Sequence, residues 1–286
     1  MANTNMQGKV CLVTGANGGI GKVSALELAK LGATVIMVCR NRSKGEEAQA
    51  EIKRISGNQN VDLLTADMSS IASVRQLAQE VTAKYPQLHV LLNNAGRMNN
   101  KREVSVDGIE STLASNYIGP FLLTNLLLDL LKASAPARII NVSSTAHKMG
   151  KINFDDLQAE KNYRGFPVYG NSKLALTLFT YELARRLEGT GVTVNNLHPG
   201  VIASGFFGTG LLGRLGRLVM LTPEQGAQTS IYLATAPEVT TVNGKYFEKS
   251  KQSTSSKISN DEQLGKRLWQ VTEELIAQKS SQTVNA

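Results

Sequence analysis

Apolar runs of strand length alternate with helical patterns along most of this chain. The strand-like runs cover residues 9–14, 33–39, 61–65, 88–92, 137–142 and 192–197, with a short seventh run at 245–247. Helical patterns lie between or after them, at residues 44–55, 74–85, 106–132, 167–187 and 223–234, and a last one near 261–277. Alternation at this pitch predicts an α/β fold, with a doubly wound parallel sheet of about seven strands and helices on both faces.

Length and composition agree with this fold. The chain has 286 residues, which suits one large α/β domain or two small ones, and 42% hydrophobic residues are enough for a core. We find no internal repeat, and therefore predict a single domain over residues 1–286. No run reaches the roughly 18 apolar residues of a membrane span, and residues 1–9 lack the regions of a signal peptide. Cys11 and Cys39 lie in strand-like runs, which is typical of reduced, buried thiols, and we expect a cytoplasmic protein.

A net charge of +8 raises the question of a nucleic-acid partner. The basic residues are scattered, however, and no dense Lys/Arg run occurs. An anionic small-molecule cofactor needs only a few of these residues. We therefore expect no nucleic-acid partner, and we predict no metal site.

A glycine-rich turn follows the first strand-like run at once. It contains Gly15, Gly19 and Gly21, and a helical pattern then extends to Leu31 and stops at Gly32. Strand, glycine turn and helix are the context of a dinucleotide-binding fingerprint, in which a pyrophosphate lies at the helix N-terminus. The first gap between glycines is one residue longer than in the usual pattern. The alternative is a glycine-rich turn that holds no ligand.

The end of the second strand-like run indicates which dinucleotide is bound. An NAD enzyme usually places Asp or Glu there to bind the ribose 2′-hydroxyl. This chain has Cys39, followed by Arg40 and Arg42. Guanidinium groups pair with a 2′-phosphate, which a carboxylate would repel, so NADP(H) is favoured over NAD(H). The alternative is that both arginines are solvated loop residues.

Further polar residues lie where ligands bind in parallel sheets, at or just beyond the C-terminal strand ends. Asp67 and Asn94 are in such positions, and the alternative for each is a turn or a helix cap. In the pattern 106–132, Pro120 cannot donate a hydrogen bond to the carbonyl of Asn116. We expect a kink there and a free carbonyl able to hold a water, or else a tolerated proline in a structural helix.

Tyr169 and Lys173 are four residues apart in a helical pattern and therefore face the same side. A nearby ammonium stabilises a phenolate and lowers the tyrosine pKa from its usual value of about 10, which suits general acid–base catalysis. The same spacing also occurs by chance in many helices. Ser143 and Ser144 end the preceding strand-like run.

The segment 204–221 is rich in Leu, Phe and Gly, and its charged residues are Arg214 and Arg217. We expect it to form an apolar cover over a substrate. A surface that docks on a partner subunit or on membrane phosphates is the alternative. Residues 250–260 are polar and serine-rich, and we expect an exposed loop.

In this order the motifs resemble the short-chain dehydrogenase/reductase family over nearly the whole chain. The motifs that carry the resemblance are residues 14–21 and 93–96, Asn116, Ser144, Tyr169 with Lys173, and 199–200. Residues 38–41, 121–126, 143–147 and 244–247 are similar to the retinol dehydrogenase-like branch. Membrane-bound members of that branch often carry an N-terminal hydrophobic anchor, which this sequence lacks. The family resemblance implies a Rossmann-type fold.

The resemblance also implies roles for the candidate residues. Tyr169 would protonate the alkoxide that forms when a hydride reaches a carbonyl, and Lys173 would lower the tyrosine pKa and bind the nicotinamide ribose. Ser144, rather than Ser143, would donate to the carbonyl oxygen, and Asn116 would hold a water. The implied cofactor contacts are Gly15, Asn17, Gly19, Ile20, Gly21, Arg40, Asp67, Met68, Asn94, Ala95, Gly96, Tyr169, Lys173, Pro199, Gly200, Val201 and Ser204.

Three functions compete at this point. The first is an NADP(H) oxidoreductase acting on an apolar aldehyde, ketone or alcohol. The second is another nicotinamide-dependent step on the same fold, such as epimerisation or reduction of a conjugated double bond. The third is a non-catalytic NADP-binding sensor, which would not need serine, tyrosine and lysine together. Peripheral membrane contact, the oligomeric state, the reaction direction and the identity of the substrate stay open.

Overall fold

The computed structural model describes residues 5–201 and 221–284. They form one eight-stranded sheet in the order β3-β2-β1-β4-β5-β6-β7-β8. The strands are β1 (Val10–Thr14), β2 (Thr34–Cys39), β3 (Val61–Thr65), β4 (Val90–Asn93), β5 (Ala137–Val142), β6 (Val192–His198), β7 (Tyr246–Glu248) and β8 (Lys251–Ser253). All neighbours pair in parallel except β7 and β8, which are antiparallel. The predicted doubly wound sheet is confirmed.

Eight helices accompany the sheet in the described ranges. They are α1 (Gly19–Lys30), α2 (Arg42–Ser56), α3 (Ile71–Lys84), α4 with its segments Ser111–Leu113, Ala114–Ile118 and Gly119–Leu126, α5 (Leu128–Ala133), α6 (Gly165–Arg186), α7 (Pro223–Thr235) and α8 (Glu262–Val284). Short 3-10 turns lie at Thr145–Met149, Phe154–Asp156, Pro237–Val239 and Lys257–Asn260. None of these helices is long and apolar enough to cross a membrane.

The helices divide between two apolar cores, one on each face of the sheet. Side chains of α3, α4, α6 and α8 fill one core, together with strand residues such as Leu12 and Ile139. The other core contains α1, α2 and α7, with Cys11 and Val13 from β1. Because successive side chains of a strand point to opposite faces, β1 contributes to both cores and is buried on both sides.

The sheet has one more strand than expected, within the predicted loop 250–260. β8 pairs with β7 through a tight hairpin whose central residues, Lys249 and Ser250, have φ angles of 50° and 58°. The Ser250 amide donates to Thr229 Oγ1 at 3.0 Å, which supports the turn. Left-handed residues in a two-residue hairpin are usually Gly, Asn or Asp. Their absence left no hairpin signal in the sequence.

The predicted helix 106–132 begins later and is interrupted. Glu110, which is fully buried, accepts hydrogen bonds from the amides of Thr112 and Leu113 and so starts α4 at Ser111. Instead of a sharp kink before Pro120, residues 114–118 form a wider π-helical turn, in which the Gly119 amide bonds to the Ala114 carbonyl. Such turns shift the helix by one residue and often lie at functional sites.

The C-terminal helix is longer than the pattern near 261–277 indicated, and it docks on the helix that carries Tyr169. Trp269 of α8 lies 4.8 Å from Phe121 and 5.6 Å from Phe179, measured between ring centroids. The Arg186 guanidinium lies over the indole at 3.9 Å. These contacts hold α4, α6 and α8 together behind the sheet. The expected apolar cover, 204–221, lies outside the described residues except for Leu221.

Candidate active site

Two adjoining cavities lie beyond the carboxyl ends of the parallel strands. The larger has a volume of about 620 Å³ and the smaller about 500 Å³, and Asn94 and Gly96 line both. They lie where β1 and β4 are neighbours and the strand order reverses, which is the usual ligand site of such sheets.

Most of the predicted site residues are on the walls of these cavities. Those around the smaller cavity are Gly15, Asn17, Arg40, Asp67, Met68, Asn94, Ala95 and Gly96. Those around the larger one are Gly19, Ile20, Asn94, Gly96, Ser144, Tyr169, Lys173, Pro199, Gly200 and Val201. Gly21 and Asn116 are buried beside them, and Ser204 lies outside the described residues.

The glycine turn between β1 and α1 needs glycine for two different reasons. Gly15 has a φ angle of 69°, in the left-handed region that other residues rarely adopt. Gly21 packs so closely that a Cβ atom there would collide with the Gly15 carbonyl and lie 2.5 Å from Asn94 Nδ2. No side chain caps α1, whose N-cap is Gly18. Backbone amides at the start of this helix can therefore receive an anion.

Both polar residues predicted at strand ends have structural contacts as well. Asn94 Nδ2 donates to the Thr14 carbonyl at 2.8 Å, which ties the end of β4 to the end of β1. Asp67 Oδ1 accepts from the amide and the hydroxyl of Ser69, at 2.8 and 2.6 Å. Asp67 thus has the turn-forming contact of the alternative, whereas Asn94 links two strands instead of forming a turn or a cap, and each also lines a cavity.

The two arginines after β2 differ in their surroundings. Arg42 faces Glu46 at 3.8 Å and donates to Thr65 Oγ1 at 3.4 Å. Arg40 is exposed on the wall of the smaller cavity, and no carboxylate of the described residues pairs with it. Arg40 thus offers its guanidinium to an anionic ligand in this cavity, whereas Arg97, which also lines the cavity, already faces Glu103 at 3.0 Å.

Tyr169, Lys173 and Ser144 meet at the inner end of the larger cavity. Tyr169 and Lys173 project from α6, and the Lys173 Nζ lies 5.6 Å from the centroid of the tyrosine ring. Nζ donates to the Val142 carbonyl at the end of β5, at 2.8 Å. The Ser144 hydroxyl hydrogen-bonds to the Tyr169 phenol.

The paired serines point in different directions. Ser143 is buried and its hydroxyl contacts the Lys173 carbonyl at 3.2 Å and Thr177 Oγ1 at 3.0 Å, both on α6. Ser144 is half-buried on the cavity wall and starts the 3-10 turn Thr145–Met149, since its Oγ accepts from the Ala146 amide at 3.2 Å. The geometry therefore agrees with the family pattern that selects Ser144.

Asn116 lies behind this group, in the π-helical turn of α4. Its Oδ1 accepts from the Arg97 amide at 2.7 Å, and its Nδ2 donates to the Arg97 carbonyl at 2.9 Å and to Ser172 Oγ at 3.0 Å. A Cβ atom on Gly96 would lie 3.2 Å from Asn116 Oδ1 and 3.4 Å from Lys173 Nζ. Asn116 thus fixes the loop after β4 against α6, close to the lysine.

The protonation of the pair differs from the sequence-based expectation. Burial raises the pKa of Tyr169, and the Ser144 hydrogen bond opposes this rise. Burial lowers the pKa of Lys173 from 10.5 to about 8. The pKa of Tyr169 is therefore raised rather than lowered as predicted, because the cost of burying a phenolate is the largest contribution to its shift.

The outer walls of the larger cavity are apolar, and the sequence reading did not identify them. Met98, Ala146, Met149 and Phe166 form these walls. Met149 and Phe166 are 64% and 47% exposed. Phe166 precedes Tyr169 by three residues on α6. This spacing places both side chains on one helix face, and it could have identified Phe166 from the sequence. The other walls come from separate loops.

Lys173→Met keeps the length of the side chain and removes its charge. Lys173 is 4% exposed, and the fall of its pKa from 10.5 to about 8 means that the buried ammonium destabilises the fold. One pKa unit corresponds to about 1.4 kcal/mol, and the lost Val142 bond subtracts about 1 kcal/mol from the gain. We expect the free energy of unfolding in urea to rise by roughly 1–3 kcal/mol at neutral pH.

The pH dependence separates this effect from packing. Because the folded-state pKa is below the unfolded value, the penalty is complete below about pH 8 and disappears as the pH rises to 10.5. The advantage of the variant should shrink over that range. Lys151→Met, at an exposed position, is the control and should change stability by no more than about 0.5 kcal/mol. A variant that is less stable at neutral pH would contradict the prediction.

The sequence of this chain is similar to those of known proteins. A family model for short chain dehydrogenases matches residues 9–209. Retinol dehydrogenase 12 of Homo sapiens is 47% identical over 279 residues, covering 96% of this chain and 88% of the relative. Retinol dehydrogenase 14 of Homo sapiens is 44% identical over 298 residues, with coverage of 95% and 87%.

The fold of this chain is also similar to solved structures. An uncharacterised protein from Mycobacterium paratuberculosis superposes with a TM-score of 0.79 at 32% identity, over 96% of this chain and 95% of the other. RhlG of Pseudomonas aeruginosa, in an active-site complex with NADP, gives 0.70 at 27% identity, over 85% and 95%. The sheet order, the glycine turn and the grouping of Ser144, Tyr169 and Lys173 are in line with these matches. The chain belongs to the short-chain dehydrogenase family.

Proposed function

We propose that this oxidoreductase transfers a hydride between NADP(H) and the carbonyl or alcohol carbon of an apolar aldehyde, ketone or alcohol. The observation that carries the proposal is the meeting of Ser144, Tyr169 and Lys173 at the inner end of a cavity with apolar walls. A sensor without catalysis would have no need to bury a lysine beside a tyrosine at a cost in stability.

The residues around the two cavities fit a nicotinamide dinucleotide. The uncapped start of α1 offers amides of Gly19 and Ile20 to a pyrophosphate. Asp67 and Met68 line the smaller cavity, where an adenosine would lie, and Arg40 is at its edge. The nicotinamide would lie between Tyr169 and the loop 199–201 in the larger cavity. When bound, the cofactor supplies or accepts the hydride.

The side chains of this protein would position the substrate and move the proton. Ser144 donates to the substrate oxygen and holds the carbonyl beside Tyr169. Because burial keeps the pKa of Tyr169 high, its phenol is protonated at neutral pH and can protonate a developing alkoxide. Lys173, whose pKa is about 8, is still mostly charged at neutral pH and favours the phenolate that remains.

NADP(H) rather than NAD(H) is proposed on the chemistry of the smaller cavity. Its wall has Cys39 and Arg40 where an enzyme for NAD carries an acid. A guanidinium pairs with a 2′-phosphate by two hydrogen bonds. The NADP complex of RhlG, which shares this fold, is in line with the proposal.

An apolar substrate is proposed on the walls of the larger cavity. Met98, Met149 and Phe166 offer large apolar surfaces beside Tyr169, and two of them are exposed to solvent. The segment 204–221, rich in Leu and Phe, adds a candidate cover. Relatives named retinol dehydrogenases suggest a terpenoid alcohol or aldehyde as one substrate class. We further propose a cytoplasmic, single-domain enzyme over residues 1–286.

Tyr169→Phe removes only the phenol oxygen. We expect the variant to fold and to bind NADPH normally but to lose nearly all turnover, at least about a hundredfold, because no acid remains for the alkoxide. Turnover is measured as NADPH oxidation across a panel of carbonyl compounds. If the Tyr169→Phe variant kept most of the activity, Tyr169 would not be the acid.

The two serines serve as matched variants for that experiment. Ser144→Ala removes a hydroxyl on the cavity wall, so it should impair turnover severely. Ser143→Ala removes one that contacts α6, so it should lower stability more than turnover. The reverse ranking would assign catalysis to Ser143.

Arg40→Ala tests the choice of cofactor. A lost guanidinium–phosphate contact costs roughly 1.5–3 kcal/mol, or about tenfold or more in affinity. We expect NADPH to bind the unmodified protein more tightly than NADH, and the variant to narrow this gap, in fluorescence titrations. Arg42→Ala is the control, since Arg42 already faces Glu46. Equal affinities for both cofactors in the unmodified protein would contradict the proposal.

Substrate length tests the apolar walls. An enclosed CH₂ group contributes about 0.8 kcal/mol, so each added carbon should raise kcat/KM by up to about fourfold in a series of aliphatic or terpenoid aldehydes. Phe166→Ala should flatten this dependence. Flotation with anionic vesicles tests the alternative, in which 204–221 docks on a membrane. A flat dependence in the unmodified protein together with tight vesicle binding would favour docking.

A further inference from the structure

His147 lies directly behind Ser144 and contacts its backbone twice. It follows Ser144 by three residues on the turn Thr145–Met149, and its side chain is fully buried. The His147 amide donates to the Ser144 carbonyl at 3.0 Å, and the ring Nδ1 lies 2.6 Å from the same oxygen. His147 thus holds the backbone carbonyl of Ser144, and the side chain of Ser144 hydrogen-bonds to Tyr169.

The other ring nitrogen of His147 determines which tautomer is present. The Ser256 amide donates to Nε2 at 3.1 Å. A backbone amide can only donate, so Nε2 must be the acceptor and the proton of a neutral ring must be on Nδ1. Nδ1–H then donates to the Ser144 carbonyl. The contact with Ser256, which is 109 residues away in the sequence, therefore specifies the hydrogen bond at Ser144.

The surroundings of the imidazole keep it neutral. Burial lowers the pKa of His147, and the adjacent Lys148 lowers it further, whereas the Ser144 contact and Glu248 raise it. Glu248 and Tyr246 face the ring from β7, with Tyr246 5.0 Å away between ring centroids, and His198 faces it from β6. A protonated ring would place two donors, Nε2–H and the Ser256 amide, against each other.

We propose that His147 is a positioning residue, which through the Ser144 carbonyl aims the Ser144 hydroxyl at Tyr169 and the substrate, and which is itself locked by the Ser256 amide. The proposal rests on the catalytic role of Ser144 in the proposed function. It also gives a purpose to the segment after β8: the Tyr181 hydroxyl of α6 donates to Ser255 at 2.8 Å and so holds this segment beside the site.

Two substitutions separate the two contacts of the ring. Asparagine places its amide nitrogen near the position of Nδ1, so His147→Asn keeps the donor to Ser144 and loses the contact with Ser256. Glutamine reaches the position of Nε2, so His147→Gln keeps an acceptor for Ser256 and loses the donor to Ser144. His89→Gln is the matched control, because His89 is also buried and its Nδ1 accepts from the Val10 amide, away from the cavities.

We expect His147→Gln to lower kcat ten- to a hundredfold, the range that misplacement of a reacting group produces, with NADPH affinity within about twofold. His147→Asn should retain most of the kcat of the unmodified protein, even if it lowers the melting temperature. His89→Gln should lower stability alone. Equal losses of kcat in both His147 variants, in proportion to lost stability, would show a structural role only and overturn the proposal.

The titration of Tyr169 is a readout that needs no substrate. The Ser144 hydrogen bond lowers the pKa of Tyr169, so its loss in His147→Gln should raise that pKa, while His147→Asn should not. Carbon NMR of ring-labelled tyrosine measures it, with Tyr169→Phe for assignment. An unchanged titration in His147→Gln would overturn the proposal. Absence of NADPH oxidation in the unmodified protein would instead refute the proposed function and leave this measurement valid.

The tautomer gives a second test, independent of whether a His147 variant folds. Nitrogen NMR of labelled histidine should show one neutral tautomer at His147, protonated on Nδ1. Ser256→Pro removes the donor to Nε2 together with the serine hydroxyl, which has no hydrogen-bond partner among the described residues, and Ser256 has a φ angle of −68°, which proline adopts. This variant should show a mixture of tautomers and a severalfold lower kcat. A ring protonated on Nε2 in the unmodified protein would overturn the proposal.

Discussion

The adjacency of β1 and β4 is the constraint on which the site depends. Chain order runs outward from β1 to β3 on one side and from β4 onward on the other, so the loops at this junction diverge and leave a cleft. Hydrogen bonds close the junction below the cleft: Thr14 Oγ1 accepts from the amides of Asn94 and Ala95, and Asn94 Nδ2 donates to the Thr14 carbonyl. The glycine turn and the loop after β4 therefore keep a fixed distance.

Around this cleft the protein places polar groups where packing alone would not. Lys173 and Asn116 are buried among apolar side chains of α4 and α6. Each is paired: the lysine with the Val142 carbonyl, the asparagine with Arg97 and Ser172. The pairing limits the cost of burial but does not cancel it for the lysine, whose pKa falls to about 8. The direction of this shift implies that an apolar residue at this position would stabilise the fold, a compromise that is common at functional sites.

Ser144 connects α6 with the segment that follows β8. Its hydroxyl faces Tyr169 on α6, and its carbonyl faces His147, which is held by Ser256 from the far edge of the sheet. The hairpin of β7 and β8 brings Ser256 there. Strands at the edge of the sheet, short and partly exposed, thus contribute to the geometry at its centre.

Local patterns in the sequence determined the alternating strands and helices, the glycine turn, and the common face of Tyr169 and Lys173, because periodicity and spacing act over a few residues. Arg40 and Ser144 were identified by position relative to a strand end and to a family motif. The tertiary structure alone decided the hairpin at Lys249 and Ser250, the direction of the Tyr169 pKa shift, and the link from His147 to Ser256. These depend on burial and on contacts between segments far apart in the chain, which no local pattern encodes.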